Sequence, residues 1–367
     1  MKKSMQTATT ILLLTACTEE NRATEGDNAA TPLQTAIEPG PYNIGHRAVE
    51  AKYDDPLGQA VSVPVDIWYP TEDTDGVAAA YLGTIKDDAA WSDATLASPA
   101  HRDGHPVLVF SHGSNLYGAS SAFLMRHFAS HGWIAVAPTH VGNTITDLDD
   151  GDCDTDAYGC RTQAVWLQRP LNTMAALEQV AAALGDSPEV DSVVLAGFSY
   201  GAYDTWARAG GAIDRESVSS ACDSGGISGG CTDAGITAMS RDFFDERISA
   251  IIPMAGAHAY PFGATGLDGI TIPGLMMSGT LDADDPGWVW EHSVNTPLTW
   301  LSIEGACHGL WSFGGCAEVD TSEGHQAIAS YALAFARAHL LNDASEETLG
   351  LLDGSIQPWS WVSLRSR

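Results

Sequence analysis

Basic side chains are scarce in this sequence. Lys and Arg number 17 against 47 Asp and Glu, a formal charge of −30 over 367 residues. A surface of that sign repels phosphate backbones and anionic lipid headgroups, which excludes nucleic-acid binding and electrostatic docking on membranes. Long apolar runs are missing too: no segment reaches the roughly 20 residues that a helix needs to cross a bilayer. No two cysteines have the CxxC spacing of a structural zinc site, and no segment repeats elsewhere in the chain. Charged residues make up only 17%, whereas 44% are apolar and 11 are Trp. That balance suits one catalytic-sized domain with a large core, and neither a disordered chain nor a coiled coil.

The chain starts with an export pattern. Lys2 and Lys3 precede a short apolar stretch, Ile11–Leu14, and Leu14-Thr15-Ala16-Cys17 then reads as a bacterial lipobox cleaved before Cys17. Residues 1–16 are expected to be a lipoprotein signal peptide. Residues 17–40, polar and without periodicity, are expected to be a flexible tether. Lipid on Cys17 would be the membrane attachment, and the expected location is the cell envelope, on its periplasmic or extracellular face. The remaining six cysteines fall as three close pairs: Cys153 with Cys160, Cys222 with Cys231, and Cys307 with Cys316. An even count in an exported chain points to disulfides. Six cysteines allow fifteen connectivities, and the three local pairs are the expected ones.

Arg47–Tyr53 and Val61–Tyr69 (VSVPVDIWY) are rich in β-branched and aromatic residues and read as a hairpin at a sheet edge. Pro106–Ser111, Trp133–Pro138 and Asp191–Phe198 are short continuous apolar runs, as strands buried on both faces require. Helical spacing fills 119–131 and Gln163–Leu184. Later strands are Ile248–Met254, Ile272–Ser278 and Leu298–Ile303, closed by a helix over Ser322–Leu341. Strand and helix alternate from Pro106 onward, which predicts an α/β fold with a mostly parallel central sheet flanked by helices. The catalytic domain spans 41–345. Within it, 210–246 reads as a small disulfide-bearing cap beside the active site, and 346–367 reads as a C-terminal extension.

Gly197-Phe198-Ser199-Tyr200-Gly201 is a G-x-S-x-G sequence between a predicted strand and a predicted helix. The serine has to occupy a tight strand-to-helix turn, and glycines two positions either side let the backbone pack there. A nucleophile for acyl transfer also needs donors aimed at the developing oxyanion. The N–H of Tyr200 is one, and the N–H of Ser114, in Ser111-His112-Gly113-Ser114, is the other. His112 is read as bracing that loop. The order expected in such a fold is Ser, then acid, then His. Asp282 follows Gly279-Thr280-Leu281 at a strand end, with Asp284 and Asp285 as rivals, and His308 stands in Gly305-Ala306-Cys307-His308-Gly309 after the last strand. Trp288, Trp290 and Trp311 lie close to these loops, either lining a site or packed in the core. The acidic stretch 147–156 holds six Asp without the spacing of a calcium loop, so it reads as solvated and no metal is assigned.

GPYNIGHRAV, VPVDIWYP, PVLVFSHGS, GWIAVAPTHVGNT, QRPLNTMAALE, LAGFSYGAY, DERISAIIPMAGA and EGACHG together resemble the dienelactone-hydrolase-like and platelet-activating-factor-acetylhydrolase-like branch of the α/β-hydrolases, over roughly Gly40 to Leu341. The resemblance implies the α/β-hydrolase fold and a nucleophile, Asp and His acting on short-chain or activated esters. Serine at 199 departs from the thiol chemistry of true dienelactone hydrolases. The expected activity is carboxylic ester hydrolysis by Ser199, His308 and Asp282 through an acyl-enzyme, with no cofactor and a small or medium ester as substrate. Polyester hydrolase, lipase and peptidase use the same triad, and an inactive hydrolase fold serving as a binding module is the competing reading from another class.

Overall fold

The computed structural model describes residues 35–367 apart from 57, 102, 149–161, 225–231, 257–259 and 284–285. The chain opens with β1 (Asn43–Asp54), β2 (Ala60–Thr71), β3 (Ala78–Tyr81), β4 (Ile85–Ser92) and β5 (His105–Ser111). Then come α1 (Ala122–Ser130), β6 (Ile134–Pro138), α2 (Thr162–Leu184), β7 (Pro188–Phe198) and α3 (Tyr200–Arg208). Two short helices, α4 (Arg215–Asp223) and α5 (Asp233–Met239), precede β8 (Ile248–Met254) and β9 (Gly274–Gly279). The last elements are α6 (Gly287–His292), β10 (Leu298–Ile303), α7 (Thr321–Leu340), α8 (Glu346–Asp353) and β11 (Val362–Ser366).

The strands form an 11-stranded sheet in the order β11-β10-β9-β8-β7-β5-β6-β2-β1-β4-β3. From β6 through β5, β7, β8 and β9 to β10 every neighbour is parallel. Antiparallel pairs lie outside that block, with β2 on β6 and β11 on β10. Strands β5 and β6 are buried at every residue, which is why their sequences are unbroken apolar runs. Their side chains still alternate. Leu108 and Phe110 enter one apolar cluster with Phe128, Trp133 and Leu333, while Val107 and Val109 enter the other with Trp166, Val180 and Trp206. Each such side chain contributes about 1.5–3 kcal/mol on leaving water. Two helical layers therefore clamp the sheet, and the carboxyl ends of its parallel strands all open on one rim, where open α/β sheets carry their ligand sites.

Pro170 sits inside α2 and cannot donate to the carbonyl four residues back. The Tyr203 hydroxyl donates to that Trp166 carbonyl instead, at 2.9 Å. The cap-like region supplies α4 and α5, each N-capped by a side chain: Asp214 accepts from the Glu216 and Ser217 N–H groups, and Thr232 from that of Gly235.

Two expectations are corrected. The β1–β2 hairpin is not the sheet edge, because β4 pairs with β1 and β3 with β4. Those two strands (AAAY and IKDDAAWS) lack apolar alternation and escape a pattern search. Residues 346–367, read as a C-terminal extension, form α8 and β11, the edge strand beside β10. Residues 35–40, assigned to the tether, are docked on α1. Ala36 is fully buried, and the Gly40 N–H donates to Ser130 Oγ at 2.9 Å. Cys307 and Cys316 form a disulfide. Cys222 is also disulfide-bonded, while Cys17, Cys153, Cys160 and Cys231 lie outside the described residues. No helix among the described residues is long and apolar enough to cross a membrane.

Candidate active site

At the end of β7, Ser199 adopts φ 55° and ψ −117°, a conformation that L-residues avoid and that costs of order 1–3 kcal/mol. The chain turns there into α3. The turn closes only because its neighbours have no side chain. A Cβ on Gly197 would stand 2.1 Å from the Gly201 carbonyl oxygen, and one on Gly201 would stand 1.9 Å from that of Ser111. The Ser199 N–H donates to the Met254 carbonyl at 2.9 Å, and the Ser199 carbonyl accepts from the Ala202 N–H at 2.8 Å. Strand ladder and first helical turn thus hold the strained residue from both sides.

The loops after β9 and β10 are joined backbone to backbone. A Cβ on Gly279 would meet the Ala306 oxygen at 2.2 Å. The Thr280 and Leu281 N–H groups donate to the Ile303 and Ala306 carbonyls at 3.0 and 2.9 Å. This places both Asp282 oxygens 3.0 Å from His308 Nδ1, and His308 Nε2 3.0 Å from Ser199 Oγ. A carboxylate can only accept, so Nδ1 carries the proton and Nε2 turns a lone pair to the serine. Asp282 is 1% exposed at its side chain and His308 44%, so the acid is shielded while the imidazole faces solvent. The Cys307–Cys316 bond closes the loop that contains His308 and constrains the unfolded chain by about 2–3 kcal/mol on the chain-entropy estimate. Asp284 and Asp285 lie outside the described residues.

Chain-wide comparison shows a likeness to a ferulic acid esterase from Streptomyces cinnamoneus: TM-score 0.61, 18% identity, over 90% of this chain and 99% of that one. The chain has the α/β-hydrolase fold. The chlorophyllase family model matches residues 86–222, a stretch that includes Ser114 and Ser199 but ends before Asp282 and His308. No curated protein sequence matches the chain.

Ser111 pairs with Gly197 across β5 and β7, so the loop that carries Ser114 starts beside the elbow, and Tyr200 follows Ser199 directly at the start of α3. The Ser114 N–H has no acceptor among the described residues, and its hydroxyl accepts from Asn143 Nδ2 at 3.0 Å. Behind them lies a buried polar layer. His112 Nε2 accepts the His140 N–H at 2.9 Å, so His112 Nδ1 carries the proton and donates to the Gly113 carbonyl at 2.7 Å. Burial, with the Arg169 charge beside it, holds the His112 imidazole well below its ordinary range and therefore neutral. The ring braces the loop and does not reach Ser199. Arg169 donates to the His112 and Gly113 carbonyls and to Asn143 Oδ1. Burial lowers its guanidinium to about 9, still charged at neutral pH.

Arg169 and Asn143 were not picked out by sequence. Both fall in motifs of the family resemblance (QRPLNT and HVGNT), yet nothing in helical periodicity tells a buried arginine from a surface one. Trp290 and Trp311 are buried in packing, whereas Trp288 stacks on His292 with ring centroids 4.0 Å apart. Among the described residues no group of three or more His, Cys, Asp or Glu is placed to hold a metal.

Proposed function

We propose that this chain is a serine hydrolase that cleaves carboxylic esters through an acyl-enzyme on Ser199. The observation that carries the reading is the unbroken line from Asp282 through His308 to Ser199, 3.0 Å at each step. His308 Nε2 takes the hydroxyl proton as Ser199 Oγ bonds to the ester carbonyl carbon. The carbonyl oxygen becomes an oxyanion, received by the N–H groups of Ser114 and Tyr200. The imidazolium then gives its proton to the leaving alcohol as the C–O bond breaks. Water repeats the sequence in reverse: it loses a proton to Nε2, attacks the acyl carbon, and frees the acid from Ser199. Asp282 keeps the imidazole in the required tautomer throughout. The likeness to a protein named as an esterase supports an ester over a peptide as substrate. For the whole protein we propose export and lipid attachment at Cys17, on the strength of the lipobox alone.

The test is a panel of nitrophenyl esters from acetate to palmitate, with a fluorophosphonate probe, on the wild-type chain and Ser199→Ala. Wild type should turn over part of the panel and label at Ser199, and the variant should do neither while staying folded. Labelling that persists in Ser199→Ala, or a wild type inert to every ester, would sink the reading.

A further inference from the structure

We propose that Arg169 is a positioning residue of the oxyanion hole, strengthening the Ser114 N–H by polarising the peptide that contains it. The inference rests on the ester-hydrolase reading above. Arg169 is fully buried on α2. A buried guanidinium ordinarily pairs with a carboxylate, since uncompensated burial costs several kcal/mol. Among the described residues Arg169 hydrogen-bonds to none. Asp204 acts on it only as a neighbouring charge. Its hydrogen bonds go to the carbonyls of His112 and Gly113, the latter at 3.2 Å, and to Asn143. Asn143 in turn holds the Ser114 hydroxyl. The guanidinium carbon also lies 5.8 Å from the ring centroid of Tyr200, the other residue assigned to the hole.

The connection is covalent. The Gly113 C=O and the Ser114 N–H belong to one planar, conjugated peptide. That oxygen accepts two donors at once, Arg169 Nη2 and His112 Nδ1. Electron density drawn to the oxygen leaves the N–H a better donor, the cooperative effect of chained hydrogen bonds. A neutral side chain would brace the same carbonyls without burying a charge. The cation gains most when negative charge appears across the peptide, and that happens only in the transition state.

The test compares wild type with Arg169→Met and Arg169→Lys, with melting temperature as the measure of fold. In Arg169→Met kcat should fall roughly 10- to 100-fold with KM within about twofold, less than or comparable to deleting an oxyanion donor outright. Affinity for a boronic-acid transition-state mimic should fall by the same factor, while affinity for the product carboxylate stays put. Arg169→Lys, which keeps the charge and one donor direction, should recover part of the loss. If Arg169→Met does not fold, Arg169→Lys decides, by a lowered kcat at an unchanged melting temperature. A folded variant with wild-type kcat, or one that loses kcat without losing the mimic, overturns the inference. Wild type inert to esters would instead defeat the reading beneath it.

Discussion

At the scale of single residues, Asp282 bears most directly on the chemistry, because it has no reacting atom of its own. It contacts His308 through both oxygens at 3.0 Å and is almost wholly shielded from water. An amide there would present an N–H to Nδ1 and favour the wrong tautomer, leaving Nε2 protonated and unable to take the Ser199 proton. Asp282→Asn should therefore lower kcat by about 10⁴ at a nearly unchanged melting temperature. Asp284→Asn and Asp285→Asn should cost less than about twofold if Asp282 alone orients the ring. Steady-state kinetics on the three variants check this, and the reverse order would reassign the acid. Sequence revealed these residues because each marks a strand end beside a glycine that the turn requires. Arg169 had no such marker, since a buried cation and an exposed one share the same helical spacing.

Elements read well where burial imposes a pattern. Strands buried on both faces, β5 to β8, carry apolar runs that are visible at once, and α2 and α7 show their length. Strands β3 and β11 were missed because edge strands meet little core, and β11 (VSLRS) buries only its first residue; β4, one strand in from the edge, buries only two of its eight residues. The segment 35–40 was missed for another reason. It is held by carbonyl groups that any residue could supply, with the Ala36 and Glu38 oxygens accepting from His127 and His131 Nε2 at 2.9 Å each. Burial pulls these two imidazoles from 6.5 to about 4 and about 3. Both are neutral in the folded protein, and the unfolded chain binds their protons first as pH falls below 6.5. Stability should thus be unaffected by them above pH 6.5 and decline below it, by up to about 1.4 kcal/mol per pH unit per histidine, until the folded values are reached. Urea midpoints from pH 7 to 4 should fall more gently in His127→Gln/His131→Gln. Parallel curves for the variant and wild type would remove these histidines from the acid response.

For the molecule as a whole, a formal charge of −30 leaves little attraction for an anionic bilayer, so retention in a membrane fraction has to come from something other than surface charge. The lipobox supplies a candidate. Cys17→Ser should move the mature protein from the membrane pellet to the soluble fraction, and raising salt should not mimic that release. Pelleting of the variant at high salt would mean that another attachment holds it.

The left-handed backbone of Ser199 also separates what selection for heat resistance would favour from what selection for turnover preserves. Glycine adopts φ 55° without the clash that a Cβ suffers, so Ser199→Gly should raise the melting temperature while abolishing catalysis, a trade seen where working sites store strain. A library ranked only by survival after heating would enrich glycine at 199 and drift toward a sturdier, silent protein. One ranked by ester cleavage would keep the serine and its cost. Depletion of glycine at 199 in the heated library would show that this backbone is not under strain.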